Sequence, residues 1–308
     1  MLLCVLLLLS ALAHVAQTGV EVRASEVWII KNGNEIQVTF DGKSKTQAIL
    51  SPSQKRAAYY EVCPEAEHCV PTIIILDSEG RQIVSFHPKR QSITGNEACP
   101  SILSISWIGD HSVAAVCHIN PSLSEYIETD LTTLQTTRSL LGYGFTPSPD
   151  GRQIAHAGWI PHFGPPYAQS NYLQIDHAII YPLPEGMVPF ELKAAASPPN
   201  VVNKQGLIYS GIHQFMPGFS WSPDGRHIAL VDCTYDWKAD YPEAASAGEG
   251  ERSNFQCSIA VVSLKGGVES FPLTELTSND FAAVGLVWSD RRRLSFKIKD
   301  SVKTVAIR

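Results

Sequence analysis

Short apolar runs, rich in β-branched and aromatic residues, alternate with polar turns of Gly, Pro, Asp and Asn along most of the chain. Runs of this kind predict strands and hairpins rather than helices. The pattern also repeats. Phe145-Thr-Pro-Ser-Pro-Asp-Gly-Arg-Gln-Ile-Ala-His156 and Phe219-Ser-Trp-Ser-Pro-Asp-Gly-Arg-His-Ile-Ala-Leu230 are its sharpest copies. Weaker copies run from Ala48 to Tyr59, from Ile105 to Val116 and from Leu286 to Phe296. Each is an apolar strand, a turn and a second apolar strand. Such a unit cannot bury its own apolar face, so the copies must pack on one another.

Four strands per repeat are expected. In the fourth repeat these are Gly218–Ser222, His227–Val231, Ser258–Ser263 and Val268–Leu273. The first repeat reads Gln47–Leu50, Ala57–Val62, Thr72–Leu76 and Gln82–Phe86. The later pair of the second repeat is Glu125–Thr129 and Gln135–Leu140, and that of the third is Ala178–Pro182 and Val188–Leu192 around a turn at Leu183–Gly186. At the N-terminus Glu26–Ile30 and Glu35–Phe40 resemble the last two strands of a unit. At the C-terminus Val284–Trp288 and Leu294–Lys299 supply its first two, with Thr304–Ile307 as a possible third. Joining them closes a ring and removes exposed sheet edges. The expectation is therefore an all-β fold: one β-propeller of four-stranded blades over residues 26–308, its last blade built from both termini. Five blades fit the repeats, and the stretch 157–217 is long enough to hold a sixth.

Ser148-Pro-Asp-Gly151 and Ser222-Pro-Asp-Gly225, each followed by Arg-x-Ile-Ala, resemble the TolB-type (WD40-like) β-propeller repeats of bacterial exported proteins. Trp107, Trp221 and Trp288 stand where that family often carries tryptophan. Three copies depart from the turn, with Ser53-Gln54, Gly109-Asp110-His111 and Asp290-Arg291 in its place. The resemblance implies a fold and not an activity. The turn is read as structural, since Pro presets φ, Asp caps the local backbone and Gly takes a positive φ. The tryptophans are read as blade packing.

The N-terminal Met1–His14 is apolar and too short to span a bilayer comfortably. It reads as a secretory signal over residues 1–17, with Ala11-Leu12-Ala13 as a cleavage site and an uncleaved anchor as the alternative. Export places the chain in a bacterial periplasm or outside the cell, with no membrane span once the signal is removed. Six cysteines then remain, and an even number in an exported chain points to disulfides. The repeat frame suggests Cys63–Cys69, Cys99–Cys117 and Cys233–Cys257. A metal site is the rival, but the chain has no Cys-x-x-Cys pair. A net charge of −6 argues against nucleic acid, which requires a basic face. Arg291-Arg292-Arg293 reads as a hairpin tip.

Function is sought where the repeat is interrupted, because long loops on a rigid scaffold carry recognition. The long stretches 158–172, 234–255 and 194–217 bring together Trp159, His162, Tyr167, Tyr172, Tyr209, His213, Tyr235, Asp236, Trp237, Asp240 and Tyr241. Aromatics of this kind anchor a protein partner or stack on a sugar, or else pack the loops onto the propeller. His156, His162, His177 and His213, with Asp176 or Asp232, are the candidate metal set, although none has the i, i+4 spacing of a helical zinc site. No Gly-x-Ser-x-Gly elbow, P-loop or dinucleotide fingerprint occurs, and no catalytic residue is assigned. The leading expectation is a non-enzymatic, monomeric, exported propeller that binds a protein, peptide or glycan and needs neither cofactor nor metal. The alternatives are a metal-dependent polysaccharide lyase or hydrolase and a structural module of a cell-envelope assembly.

Overall fold

The computed structural model describes residues 18–62, 69–91, 97–120, 123–158, 171–183, 208–216, 218–238, 251–274, 276, 285–298 and 301–308. The described residues form strands, turns and bends without a helix, and none is long and apolar enough in helical form to cross a membrane. The signal segment 1–17 lies outside them.

The first sheet holds β1 (Gly19–Arg23), β2 (Glu26–Lys31) and β3 (Asn34–Gln37). The second is the meander β4 (Lys45–Leu50), β5 (Arg56–Glu61), β6 (Thr72–Asp77) and β7 (Gln82–Phe86). β8 (Ile102–Ile108), β9 (Ser112–Asn120), β10 (Leu123–Asp130) and β11 (Thr136–Pro147) form another meander. It continues without a break into β12 (Ile154–Ala157), β13 (Leu173–Ile175) and β14 (Ala178–Tyr181). β11 therefore serves two units, pairing with β10 over its first part and with β12 over its last. Next come β15 (Ile208–Phe215), β16 (Ser220–Trp221), β17 (His227–Lys238), β18 (Glu251–Ser263) and β19 (Val268–Pro272). β15 and β16 share one long partner, β17. The last sheet is β20 (Gly285–Asp290), β21 (Arg293–Ile298) and β22 (Ser301–Ala306). All pairings are antiparallel, and β1 lies against β4, β4 against β8 and β16 against β20. Meanders stacked through their first strands are the arrangement of a β-propeller.

The repeat block accounts for this stacking. Its serine closes the turn: Ser148 Oγ and Ser222 Oγ each donate to the turn aspartate at 2.7 Å and accept from the backbone of Gln153 and His227 at 3.0 Å. Its tryptophan ties neighbours together. The indole N–H of Trp107 donates to the Ile49 carbonyl at 3.2 Å, that of Trp221 to Thr146 at 2.9 Å and that of Trp288 to Ser220 at 3.1 Å. Donor and acceptor occupy the third and second positions of their blocks each time. The residue just before the block takes a left-handed conformation at Gln47 (φ 49), Gly144 (φ 70) and Gly218 (φ 108), which offsets the strand entry. The core lies between the sheets, where Ile73, Ile75, Ile105 and Val113 form one buried cluster and Ala229, Val231, Ile259 and Val261 another.

Three expectations are redrawn. The termini do not share a hydrogen-bonded blade among the described strands, because each builds its own three-stranded sheet. At the N-terminus the added strand is β1, folded onto β2 through Ala24 (φ 49) and Ser25 (φ 65), so strand structure begins ahead of residue 26. In the third repeat Ala178–Tyr181 is the last strand among the described residues, and β13 precedes it across a turn at Asp176 (φ 51) and His177. Val188–Leu192 lies outside the described residues. Finally, the described parts of the stretch 234–255 are not loop: β17 and β18 run on there as a ribbon, paired with each other and, along the other edge of β17, with β15.

Candidate functional site

β17 carries the site. Its alternation puts Ile228 and Leu230 on one face, packed against Phe215, Leu173 and Ala260. The next position on that face is Asp232, a carboxylate 2% exposed in an otherwise apolar stretch. A buried carboxylate needs partners, and two converge on one of its oxygens. The Tyr181 hydroxyl donates to Asp232 Oδ2 at 2.6 Å, and His213 Nδ1 lies 2.7 Å from the same atom. Burial, followed by the Asp232 charge, pushes the Tyr181 phenol well above its ordinary pKa, so it stays a donor. Asp232 Oδ1 is buried and has no hydrogen-bond partner among the described residues.

The supporting residues hold this group in place. The Asn171 N–H donates to the His213 carbonyl at 2.8 Å, and Asn171 Oδ1 accepts from the Phe215 N–H at 2.8 Å. The Tyr143 hydroxyl, buried and raised in pKa by that burial, sits 2.7 Å from the same Asn171 oxygen. Tyr181 and Phe215 stack with ring centroids 6.0 Å apart. On the other side of Asp232, Cys233 faces Cys257 of β18 and is disulfide-bonded to it.

Beside this cluster opens a cavity of about 510 Å³. Asp232, His213 and Tyr181 form one wall; Thr234, Gln256, Ser258, Ser270 and Thr274 add polar groups; Phe255, Leu273 and Leu276 add apolar surface. The size and mixed lining match those of small-ligand pockets. Asp232 is the one carboxylate among the described lining residues, and no Lys or Arg is among them.

The aromatic residues singled out in the sequence are distributed differently. Tyr235 and Trp237 are buried, packing on Ile212 and Phe255 as the core of the ribbon. The Arg252 guanidinium lies 4.8 Å from the centre of the Tyr235 ring. Asp236 accepts from the Asn254 side chain at 2.7 Å and from the Gly211 N–H at 2.9 Å, and these bonds hold its pKa low. Tyr209 stands opposite Trp237 in the ribbon, and Tyr172 is buried beside β13. Of the described members of this group His213 is the one that lines the cavity. Trp159, His162, Tyr167, Asp240 and Tyr241 lie outside the described residues, as does Cys63. Cys69 is disulfide-bonded, and the Cys99–Cys117 disulfide is formed.

The candidate metal set does not assemble among the described residues, where no group of three His, Cys, Asp or Glu could hold an ion. His156 is fully buried, its Nε2–H directed at the Asp176 carbonyl at 2.7 Å, while His213 is committed to Asp232. The sequence offers Asp232 as a metal ligand and His213 both as a metal ligand and as a binding residue, and does not point to Tyr181, Phe255 or Ser258. The legible signal was a lone Asp inside the apolar run Ile228-Ala-Leu-Val-Asp-Cys233.

No family model and no curated protein matches the chain. Among solved structures it is similar to the β-propeller domain of the trilobed protease of Pyrococcus furiosus, at 13% identity and a TM-score of 0.39, over 94% of this chain and 80% of that one. TolB of Acinetobacter baumannii is similar at 15% identity and a TM-score of 0.32, over 83% of this chain and 63% of that one. An uncharacterized protein of Listeria monocytogenes aligns at 10% identity and a TM-score of 0.39, over 94% of this chain and 79% of that one. Stacked antiparallel meanders give this chain a β-propeller fold, and its Ser-Pro-Asp-Gly turns resemble those of TolB-like repeats.

Proposed function

We propose that the chain is an exported binding module that takes a protein, peptide or glycan where β17 and β18 run beyond their blade, and that it does not turn its ligand over. The observation that carries this reading is the cavity of about 510 Å³ at the base of the ribbon, with a buried and incompletely satisfied carboxylate in its wall. Two formed disulfides support export, because such bonds persist in oxidising compartments. Tyr235 and Trp237 serve this reading as the packed foundation of the ribbon, and Asp236 braces it through Gly211 and Asn254. Trp159, His162, Tyr167, Asp240 and Tyr241 are proposed as ligand contacts from the sequence alone.

Peptide and glycan arrays probed with the purified chain test the reading. Thr234→Trp, which fills the cavity from its wall, is the control. Wild type is expected to retain at least one class of ligand and the variant to lose it tenfold or more, with the recovered ligand unchanged in mass. Silence on both arrays, or release of a cleaved ligand with turnover, overturns it.

A further inference from the structure

We infer that the cavity recognises a cationic side chain of a peptide, the ammonium of a lysine or the guanidinium of an arginine, through Asp232. This rests on the binding-module reading above and narrows its ligand. The argument is one of charge balance. Asp232 is almost wholly buried, and the described residues that touch its carboxylate are Tyr181, a neutral donor, and His213. No Lys or Arg forms an ion pair with it among the described residues. Both donors use Oδ2, leaving Oδ1 buried and, among the described residues, unpartnered. Removing a carboxylate oxygen from water without a partner is costly, so natural folds pair such a group or reserve it for a ligand.

The rest of the wall suits the stem and head of a long basic side chain. Phe255, Leu273 and Leu276 offer apolar surface to the methylenes, and Phe255 can also face a cation. Ser258, Gln256 and Thr274 offer oxygens to the remaining N–H groups. Asp232 is the sole carboxylate of the described wall and no Lys or Arg faces it there; His213, on Oδ2, is the one ionisable base of the described lining, and Oδ1 is left for the ligand's cation. A buried charge beside a partly enclosed cavity acts through a lower dielectric than water and is screened less by salt. A neutral sugar satisfies the hydroxyl-bearing wall but leaves the charge unmatched.

Calorimetry with capped Gly-Lys-Gly and Gly-Arg-Gly peptides, the Nε-acetylated lysine peptide and a neutral disaccharide tests this inference. The two cationic peptides are expected to bind. Nε-acetylation and Asp232→Asn are each expected to weaken binding tenfold or more, and Thr234→Trp to abolish it. If Asp232→Asn fails to fold, the comparison between acetylated and free lysine on the wild-type chain decides the matter. Equal binding of both lysine peptides, or binding of the disaccharide alone, overturns the cation inference while the binding module stands. If the cationic peptides and both arrays are silent, both readings fall.

Discussion

His156 shows how one buried residue makes the fold sensitive to acid. Burial holds its pKa down to about 4, against the pull of the backbone carbonyl that its Nε2–H meets. In the unfolded chain the same imidazole titrates at its ordinary value of 6.5. Above that value both states are neutral and the residue contributes no pH dependence. As pH falls from 6.5 to about 4, the unfolded state takes a proton that the folded state refuses, so stability falls through that window and levels below it. At roughly 1.4 kcal/mol per unit, the loss is about 3 kcal/mol. Urea midpoints at pH 7 and pH 4.5 should therefore differ more in wild type than in His156→Gln, which keeps an amide donor but does not titrate. An unchanged difference would mean that other groups govern acid sensitivity. His156 read from sequence as a candidate metal ligand, and its burial was not visible there because it depends on β13 and the turn at Asp176. Asp232 was visible as a lone acid in an apolar run. Its partner Tyr181 was not, since the two are brought together by sheets 51 residues apart in sequence.

At the scale of strands and turns, legibility follows turn chemistry. Asn32-Gly33 joins β2 to β3 with φ of 53 and 78, the left-handed pair that this dipeptide favours. Ala24-Ser25 adopts the same signs with residues that carry no such signal, which is why β1 was not anticipated. Asp176-His177 hid β13 for the same reason. The tryptophans were recognised by their register, and the structure gives that register a bond. Trp221→Phe keeps most of the ring but removes the N–H that meets the Thr146 carbonyl at 2.9 Å, so chemical denaturation should show a loss of about 1 kcal/mol. Trp288→Phe should cost about the same through Ser220, and no loss in either variant would reduce these contacts to packing alone. Gly142 is a harder constraint. It sits where β11 passes from β10 to β12, with a φ of 153, and a Cβ there would stand 2.1 Å from the Ala157 carbonyl oxygen. Backbone cannot yield as a side chain can, so Gly142→Ala should destabilise by at least about 2 kcal/mol. A near-neutral result would show that β11 bends elsewhere.

For the whole molecule, the repeat made the architecture legible because each copy needs its neighbours. The ribbon and cavity were not, because they arise where the repeat is interrupted and β17 and β18 lengthen together. The two described disulfides fall on different parts of this plan. Cys99 and Cys117 belong to the buried cluster between the β4–β7 sheet and the β8–β11 meander, whereas Cys233 and Cys257 belong to the cluster joining β17 and β18 to the last sheet. They close chain segments of 18 and 24 residues, for which loop-closure entropy gives about 3 kcal/mol each. Because they share no cluster, their contributions should add. Replacing both cysteines of either pair by serine should lower the melting temperature by about 5 °C for a chain of this size, and the quadruple variant by about the sum. A quadruple variant that melts no lower than the worse double variant would show that the two halves do not unfold independently of each other's crosslink. The Cys233/Cys257 pair carries a further consequence that the other does not. It adjoins Asp232 at the cavity wall, so its loss should weaken ligand binding at temperatures where the fold persists, while loss of Cys99–Cys117 should leave binding unchanged. Calorimetric titration of both double variants well below their melting temperatures separates a crosslink that supports the site from one that supports only the fold.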